Sequence, residues 1–185
     1  MKKNVFLTGE KGSGKTTAIK KYLSSRSPDC GGFVTVRAVG EDGEEAWLHL
    51  MGSYDEVPSE ENALFCLEEG RADAELIKRS FDERGCAALA GSEEKEIIIM
   101  DELGPREEEA QLFHDAVIRC LGSCTPVLGV LQKAESVFLD SIKERCDTVI
   151  LNVDETNRDT VPGLIADVVD ACSACRAEDV PENVK

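Results

Sequence analysis

Gly9-Glu10-Lys11-Gly12-Ser13-Gly14-Lys15-Thr16 is a complete G-x-x-x-x-G-K-[ST] loop, set between the apolar run Val5-Phe6-Leu7 and a stretch of helical character beginning near Lys15. Each residue type has a physical reason at this spacing. Gly9, Gly12 and Gly14 let the backbone turn through conformations closed to residues with side chains, so that successive N–H groups point inward as a nest for an anion. The helix behind the loop adds the positive end of its dipole. Lys15 extends along the loop toward the β- and γ-phosphates, Thr16 offers its hydroxyl to Mg²⁺, and Thr17 donates to the α-phosphate. Glu10, Lys11 and Ser13 complete the expected nucleotide-binding loop. A strand before it, a helix after it and an intact Lys-Thr pair define a cradle for a triphosphate, although the cradle alone does not identify a reaction.

The second half of the expected site comes much later. Ile97-Ile98-Ile99-Met100 reads as a buried parallel strand, and its carboxyl end delivers Asp101 and Glu102 side by side. Mg²⁺ keeps several waters and takes only one or two protein carboxylates, so Asp101 is the expected metal ligand together with Thr16. Glu102, one position further, can orient the attacking water and accept its proton as a general base.

Composition bounds the rest. The chain has 185 residues, 42% of them hydrophobic, which suits one domain spanning 1–185. No run approaches the roughly 18 apolar residues that a membrane span needs, and the amino terminus passes straight into strand and loop, so a cytoplasmic protein without membrane association is expected. The net charge of −16 comes from 37 acids against 21 bases; Lys2-Lys3 and Lys20-Lys21 are isolated pairs rather than a basic stripe. This composition argues against nucleic acid as a partner and requires a locally positive pocket for a nucleotide, in a chain expected to be monomeric. The eight cysteines are scattered, and reduced thiols are expected. Cys172 and Cys175 have C-x-x-C spacing and Cys120 and Cys124 a C-x-x-x-C spacing, but nothing in the sequence brings four ligands together, so no metal is assigned to thiols. Glu107-Glu108-Glu109 reads as a solvated helix start.

Elsewhere the apolar pattern alternates between strands and helices. A first helix over residues 16–25 precedes a β-hairpin made of residues 33–39 and 46–51, turned at Gly40-Glu41-Asp42-Gly43. Ala74, Ile77 and Phe81 share one helical face before the acidic strand, and Ala110, Phe113, Val117 and Cys120 share another after it. A strand over 127–131, a helix over 137–145, a strand over 148–153 and a helix over 161–175 follow. The pattern predicts an α/β three-layer sandwich with a mainly parallel sheet, ligands lying outside the strands' carboxyl ends, and a β-hairpin insertion after the first helix. Residues 52–71, rich in acids and containing Pro58, are expected to form an exposed excursion that could cover the site.

Four blocks together resemble the THEP-type nucleoside-triphosphatases, compact P-loop enzymes: the Gly9-to-Thr17 start, Gly32-Phe33-x-Thr35-x-Arg37, Asp101-Glu102-Leu103-Gly104-x-x-Glu107, and Asn157-Arg158-Asp159. The resemblance covers nearly the whole chain. It implies a RecA-like P-loop fold and Mg²⁺-dependent hydrolysis of several nucleoside triphosphates, ATP and GTP among them, to diphosphate and phosphate. Val36 departs from the acid that many relatives carry, and Pro105-Arg106 from a basic-apolar pair. A cation at the transition state is expected from Arg158, with Arg106 as the alternative. His49 and His114 are expected to be structural. Two other classes share the cradle. A nucleoside or nucleotide kinase would want a basic lid, where residues 52–71 are acidic; a nucleotide-dependent switch would not need Glu102, and Gln132-Lys133-Ala134-Glu135 is not the N-K-x-D sequence of a GTP switch.

Overall fold

The computed structural model describes residues 2–40 and 42–178, with side chains up to Cys172. Strand β1 (Asn4–Thr8) leads through the glycine-rich loop into helix α1 (Lys15–Arg26). Strands β2 (Cys30–Val39), β3 (Ala46–Met51) and β4 (Ala63–Cys66) follow, then helices α2 (Ala74–Ser80) and α3 (Cys86–Leu89), joined by the wide helical turn Phe81–Gly85. Strand β5 (Ile97–Leu103), helix α4 (Gln111–Gly122), strand β6 (Val127–Leu131), helix α5 (Val137–Lys143), strand β7 (Thr148–Asn152) and helix α6 (Val161–Glu178) complete the series.

The strands form one 7-stranded sheet in the order β4-β3-β2-β5-β6-β1-β7. Its five strands from β2 to β7 are parallel, whereas β3 and β4 are added antiparallel beyond β2. One strand, β6, separates the loop strand β1 from the acidic strand β5, as in the RecA-like arrangement. Side chains on a strand alternate between faces, and β1 does so with apolar residues on both. Val5 and Leu7 pack with Ala18, Ile19 and Tyr22 of α1 and Val161, Ile165 and Val169 of α6. Phe6 packs on the other side with Phe113 and Val117 of α4 and Phe138, Leu139 and Ile142 of α5. The resulting three layers bring the carboxyl ends of β1, β5 and β6 to one edge, where every connection relevant to the site begins.

The strand β2 crosses β5 at very short range. Gly32 has φ +94°, and a Cβ there would lie 1.9 Å from the carbonyl oxygen of Ile99. Only glycine tolerates both that dihedral and that approach. The Ser92 hydroxyl accepts the Gly32 N–H at 3.0 Å on the same side.

The expectation for residues 52–71 needs correction. The hairpin is present, but its β3 pairs in turn with β4, and Leu64, Phe65 and Cys66 are buried. Phe65 meets the edge of Phe81 at a centroid distance of 6.1 Å. Three buried residues in succession, flanked by acids, leave no periodicity from which a strand can be read. The rest of the segment, residues 52–61 and 68–71, is largely exposed, as expected. Helix α5 ends at Lys143, a little before the expected 145, because Glu144 and Arg145 turn toward β7.

Candidate active site

A cleft of about 700 Å³ lies along the carboxyl edge of the sheet, and the loop forms its floor. Gly9, Glu10, Lys11, Gly12, Gly14, Lys15, Thr16 and Thr17 line it from one side, Asp101, Glu102 and Gln132 from the sheet edge. Gly9, Gly12 and Gly14 all have positive φ, at 144°, 80° and 102°, so the loop adopts the turns that its glycines permit. The Lys15 ammonium folds back onto the loop, donating to the carbonyls of Gly9 at 2.9 Å and Glu10 at 2.7 Å. Ser13, also in the loop, is buried, and its hydroxyl has no partner among the described residues.

Thr16 and Asp101 meet across the cleft: the Thr16 hydroxyl donates to Asp101 Oδ2 at 2.9 Å. The same oxygen accepts from the Tyr54 hydroxyl at 2.6 Å, and Lys20 lies 4.9 Å from the Tyr54 ring centroid. Burial pushes the Asp101 carboxyl up from its ordinary range, against the stabilising hydrogen bonds from Tyr54 and Thr16. The Tyr54 phenol is pushed up as well, by burial and then by the charge and hydrogen bond of Asp101, so it remains a donor. Two hard oxygen donors beside a phosphate loop fit Mg²⁺, which takes few protein ligands. Among the described residues no cluster of three His, Cys, Asp or Glu side chains converges, as a soft-metal site would require.

Glu102 is held from two sides. Gln132 donates its amide to Glu102 Oε1 at 2.5 Å, and the Glu102 N–H donates to the Thr35 hydroxyl at 3.1 Å. The Thr35 hydroxyl also donates to the Asp101 carbonyl at 3.4 Å. Burial raises the pKa of Glu102, the Gln132 hydrogen bond opposes the shift, and the Asp101 charge adds to it. A carboxylate in such surroundings is more basic than one in water, which suits proton abstraction.

Glu107 corrects the reading of residues 107–109 as a solvated run. It is 4% exposed, accepts the Gly104 N–H at 3.0 Å through Oε2, and lines the cleft. Burial pushes its carboxyl up to about 7. The local cause is the tight turn at Pro105–Glu107, which folds the side chain back over the end of β5.

The two candidate arginines occupy different places. Arg106 lines the cleft beside Glu107. Arg158 is exposed and lies outside the cleft's lining, packed over the start of α1: a Cβ on Gly14 would sit 3.6 Å from Arg158 Cβ. His49 is buried with Nδ1 against Asn62 Oδ1 at 2.9 Å, and His114 stacks on Phe138 at 3.7 Å, so both belong to the packing. Cys120 is buried and Cys124 exposed, so that pair does not share an environment. Cys175 lies outside the described side chains, and with it the C-x-x-C pair. No described helix is long and apolar enough to cross a membrane.

Sequence reasoning did not find Tyr54, Thr35 or Gln132 as parts of this site. Tyr54 had no signal, since its contact with Asp101 spans 47 positions and depends on how the chain turns after β3. Gln132 had one: it directly follows β6, at the same carboxyl edge as Asp101 and Glu102.

A phosphate loop on a parallel strand, a hydroxyl–carboxylate pair across it and a second acid next to that carboxylate on the same strand define a P-loop nucleotide-binding protein. Residues 4–166 match the family described as NTPase, and the chain belongs to that family. It is 32% identical over 174 residues to the nucleoside-triphosphatase THEP1 of Thermofilum pendens, covering 89% of this chain and 93% of the relative. The THEP1 of Thermotoga sp. strain RQ2 is 30% identical over 175 residues, covering 89% and 94%. Among solved structures, THEP1 from Aquifex aeolicus superposes with a TM-score of 0.68 at 18% identity, over 90% of this chain and 99% of that one. A human cancer-related nucleoside triphosphatase superposes with a TM-score of 0.62 at 25% identity, over 93% and 98%.

Proposed function

We propose that this member of the NTPase family hydrolyses nucleoside triphosphates, ATP and GTP among them, to the diphosphate and phosphate in a Mg²⁺-dependent reaction with Glu102 as general base. The observation that carries the reading is the meeting of Thr16 and Asp101 at 2.9 Å across the loop, with Glu102 next along the same strand edge. The relatives are named nucleoside-triphosphatases, which supports the same reaction class.

Each residue then has a distinct task. The loop amides from Gly9 to Thr17 bind phosphate oxygens, and the Lys15 ammonium leaves the Gly9 and Glu10 carbonyls for the β- and γ-phosphates. Thr16 and Asp101 would hold Mg²⁺, whose chemistry when bound is neutralisation of charge on the phosphate tail. Glu102, held by Gln132, orients a water in line with the γ-phosphorus and takes its proton. The cation for charge developing on the γ-phosphate at the transition state is Arg158, packed over Gly14, with Arg106, which lines the cleft, as the alternative. Loose base preference is what the resemblance to the THEP-type nucleoside-triphosphatases implies.

The test is to supply each triphosphate with Mg²⁺ and no acceptor and to measure released phosphate. Release for several bases supports the hydrolase. Turnover that requires an added nucleoside or nucleotide would instead make the protein a kinase.

A further inference from the structure

The cleft does not stop at the water that Glu102 would activate. Beyond Glu102 its wall is built by β2 and β3, which contribute Thr35, Arg37 and Leu48. Strand β2 pairs with β5 only from Cys30 to Val34 and then runs on, paired in register with β3. Across the sheet from the phosphate loop, the order of site groups is therefore Gln132 on the β6 side, Glu102 on β5, and Arg37 on β2.

Arg37 stands two residues beyond Thr35 and shares its face of the strand, roughly 7 Å further along. Thr35 is the residue whose hydroxyl is tied to the backbone of Asp101 and Glu102. The strand that carries Arg37 is thus anchored to the acids themselves. Arg37 is also paired across the hairpin with Leu48, which fixes its backbone within regular structure.

Charge singles out the same residue. The cleft's cations are Lys11, Lys15, Arg37, Arg106 and Lys133. Lys133 is bound to Glu10 at 2.8 Å and Lys15 to the loop carbonyls. Arg106 and Lys11 have no hydrogen-bond or ion-pair partner among the described residues. But Arg106 lies on a short turn, where its charge already acts on Glu102 and Glu107, and Lys11 lies on the loop; Arg37 is the cleft cation mounted on a strand. Its guanidinium has no hydrogen-bond or ion-pair partner among the described residues, in a chain of net charge −16. An arginine kept unpaired amid such an excess of acid is available to an anionic ligand.

Resting on the hydrolase reading above, we infer that Arg37 is a catalytic residue, contacting the γ-phosphoryl group from the β2 wall and neutralising the charge that develops on its equatorial oxygens during in-line displacement. Water attacks phosphorus, its proton passes to Glu102, and the bond to the β-phosphate oxygen breaks with its electron pair leaving on the diphosphate. Arg37 takes no proton.

The experiment compares wild type with Arg37→Ala, Arg37→Lys and Glu102→Gln, measuring kcat, KM, diphosphate affinity, and trapping of Mg²⁺-diphosphate by aluminium fluoride. Arg37→Ala should lower kcat on the order of 10³-fold and lose fluoride trapping, with diphosphate affinity kept within about threefold. Arg37→Lys should recover little, because a point charge does not reproduce the guanidinium fork. A kcat within about threefold of wild type, or a rise in KM with kcat unchanged, would overturn the inference. Retained diphosphate affinity and melting temperature report that the variant is folded. Failure of the wild type itself to release phosphate would sink the hydrolase reading, an outcome distinct from lost turnover and lost trapping in Arg37→Ala beside an active wild type.

Discussion

The two walls of the cleft are built on different principles. The loop wall uses neighbours in sequence: Gly9 to Thr17 form a continuous cradle between β1 and α1. The opposite wall draws Thr35, Arg37 and Leu48, with Tyr54 behind them on Asp101, from a part of the chain that reaches the site only because β2 and β3 run beyond the parallel sheet. In the proposed reading one wall grips a feature common to all triphosphates, and the other supplies groups that act at the last phosphate. Binding and turnover should therefore separate by wall.

Lys15→Ala tests the loop wall at its strongest point. Triphosphate affinity should fall on the order of 10³-fold, measured by titration calorimetry, because the cation is removed from the anion nest of the loop. Unchanged affinity would break the contrast. Glu102→Gln should instead keep triphosphate affinity and lose kcat by about 10²–10³-fold, since an amide can position water but not accept its proton. Normal phosphate release by this variant would remove Glu102 from its role.

Tyr54→Phe sharpens the comparison further. Removing the hydroxyl that fixes Asp101 should raise the Mg²⁺ concentration needed for half-maximal turnover about 10-fold, and weaken Mn²⁺ binding in the nucleotide complex by a similar factor in electron paramagnetic resonance titrations. Unchanged metal dependence would confine Tyr54 to packing.

The smallest effect should come from Glu107. Its folded pKa is raised to about 7 from an ordinary 4.5, so the folded state binds its proton more tightly than the unfolded chain does. The stability that this burial allows is complete below about pH 4.5 and is lost as pH rises through about 7. Glu107→Gln stays neutral and can still accept the Gly104 N–H. It should flatten the fall in stability between pH 5 and 8, by on the order of 1–2 kcal/mol in urea unfolding. An unaltered pH profile would show that Glu107 ionises as freely as a surface acid.

The same contrast explains what could be read from the sequence. The loop was legible because its chemistry is local, and Asp101 and Glu102 because they directly end an apolar run that makes β5. Alternation of apolar patterns was enough for the parallel sheet. Strand β4 was not legible, since three buried residues in succession carry no alternation, and the acids on either side suggested exposure. Tyr54, Gln132 and Thr35 acquire their roles only when strands from distant parts of the chain are laid side by side. Glu107 looked solvated because two further acids follow it, whereas the turn at Pro105 folds it inward. Arg158 was found through resemblance, and its neighbour Gly14 became visible only in three dimensions.

The passage of Gly32 over Ile99 has a consequence for how this protein can fail. A side chain there would have to push β2 off β5, since the nearest obstacle is main chain rather than a side chain that could rotate away. The spacing of the two catalytic walls is thus gauged at a point that touches no nucleotide. An alanine at that fulcrum would leave the phosphate grip assembled while prying the hydrolytic jaw ajar, a silent lesion to any assay that scores ligand capture alone.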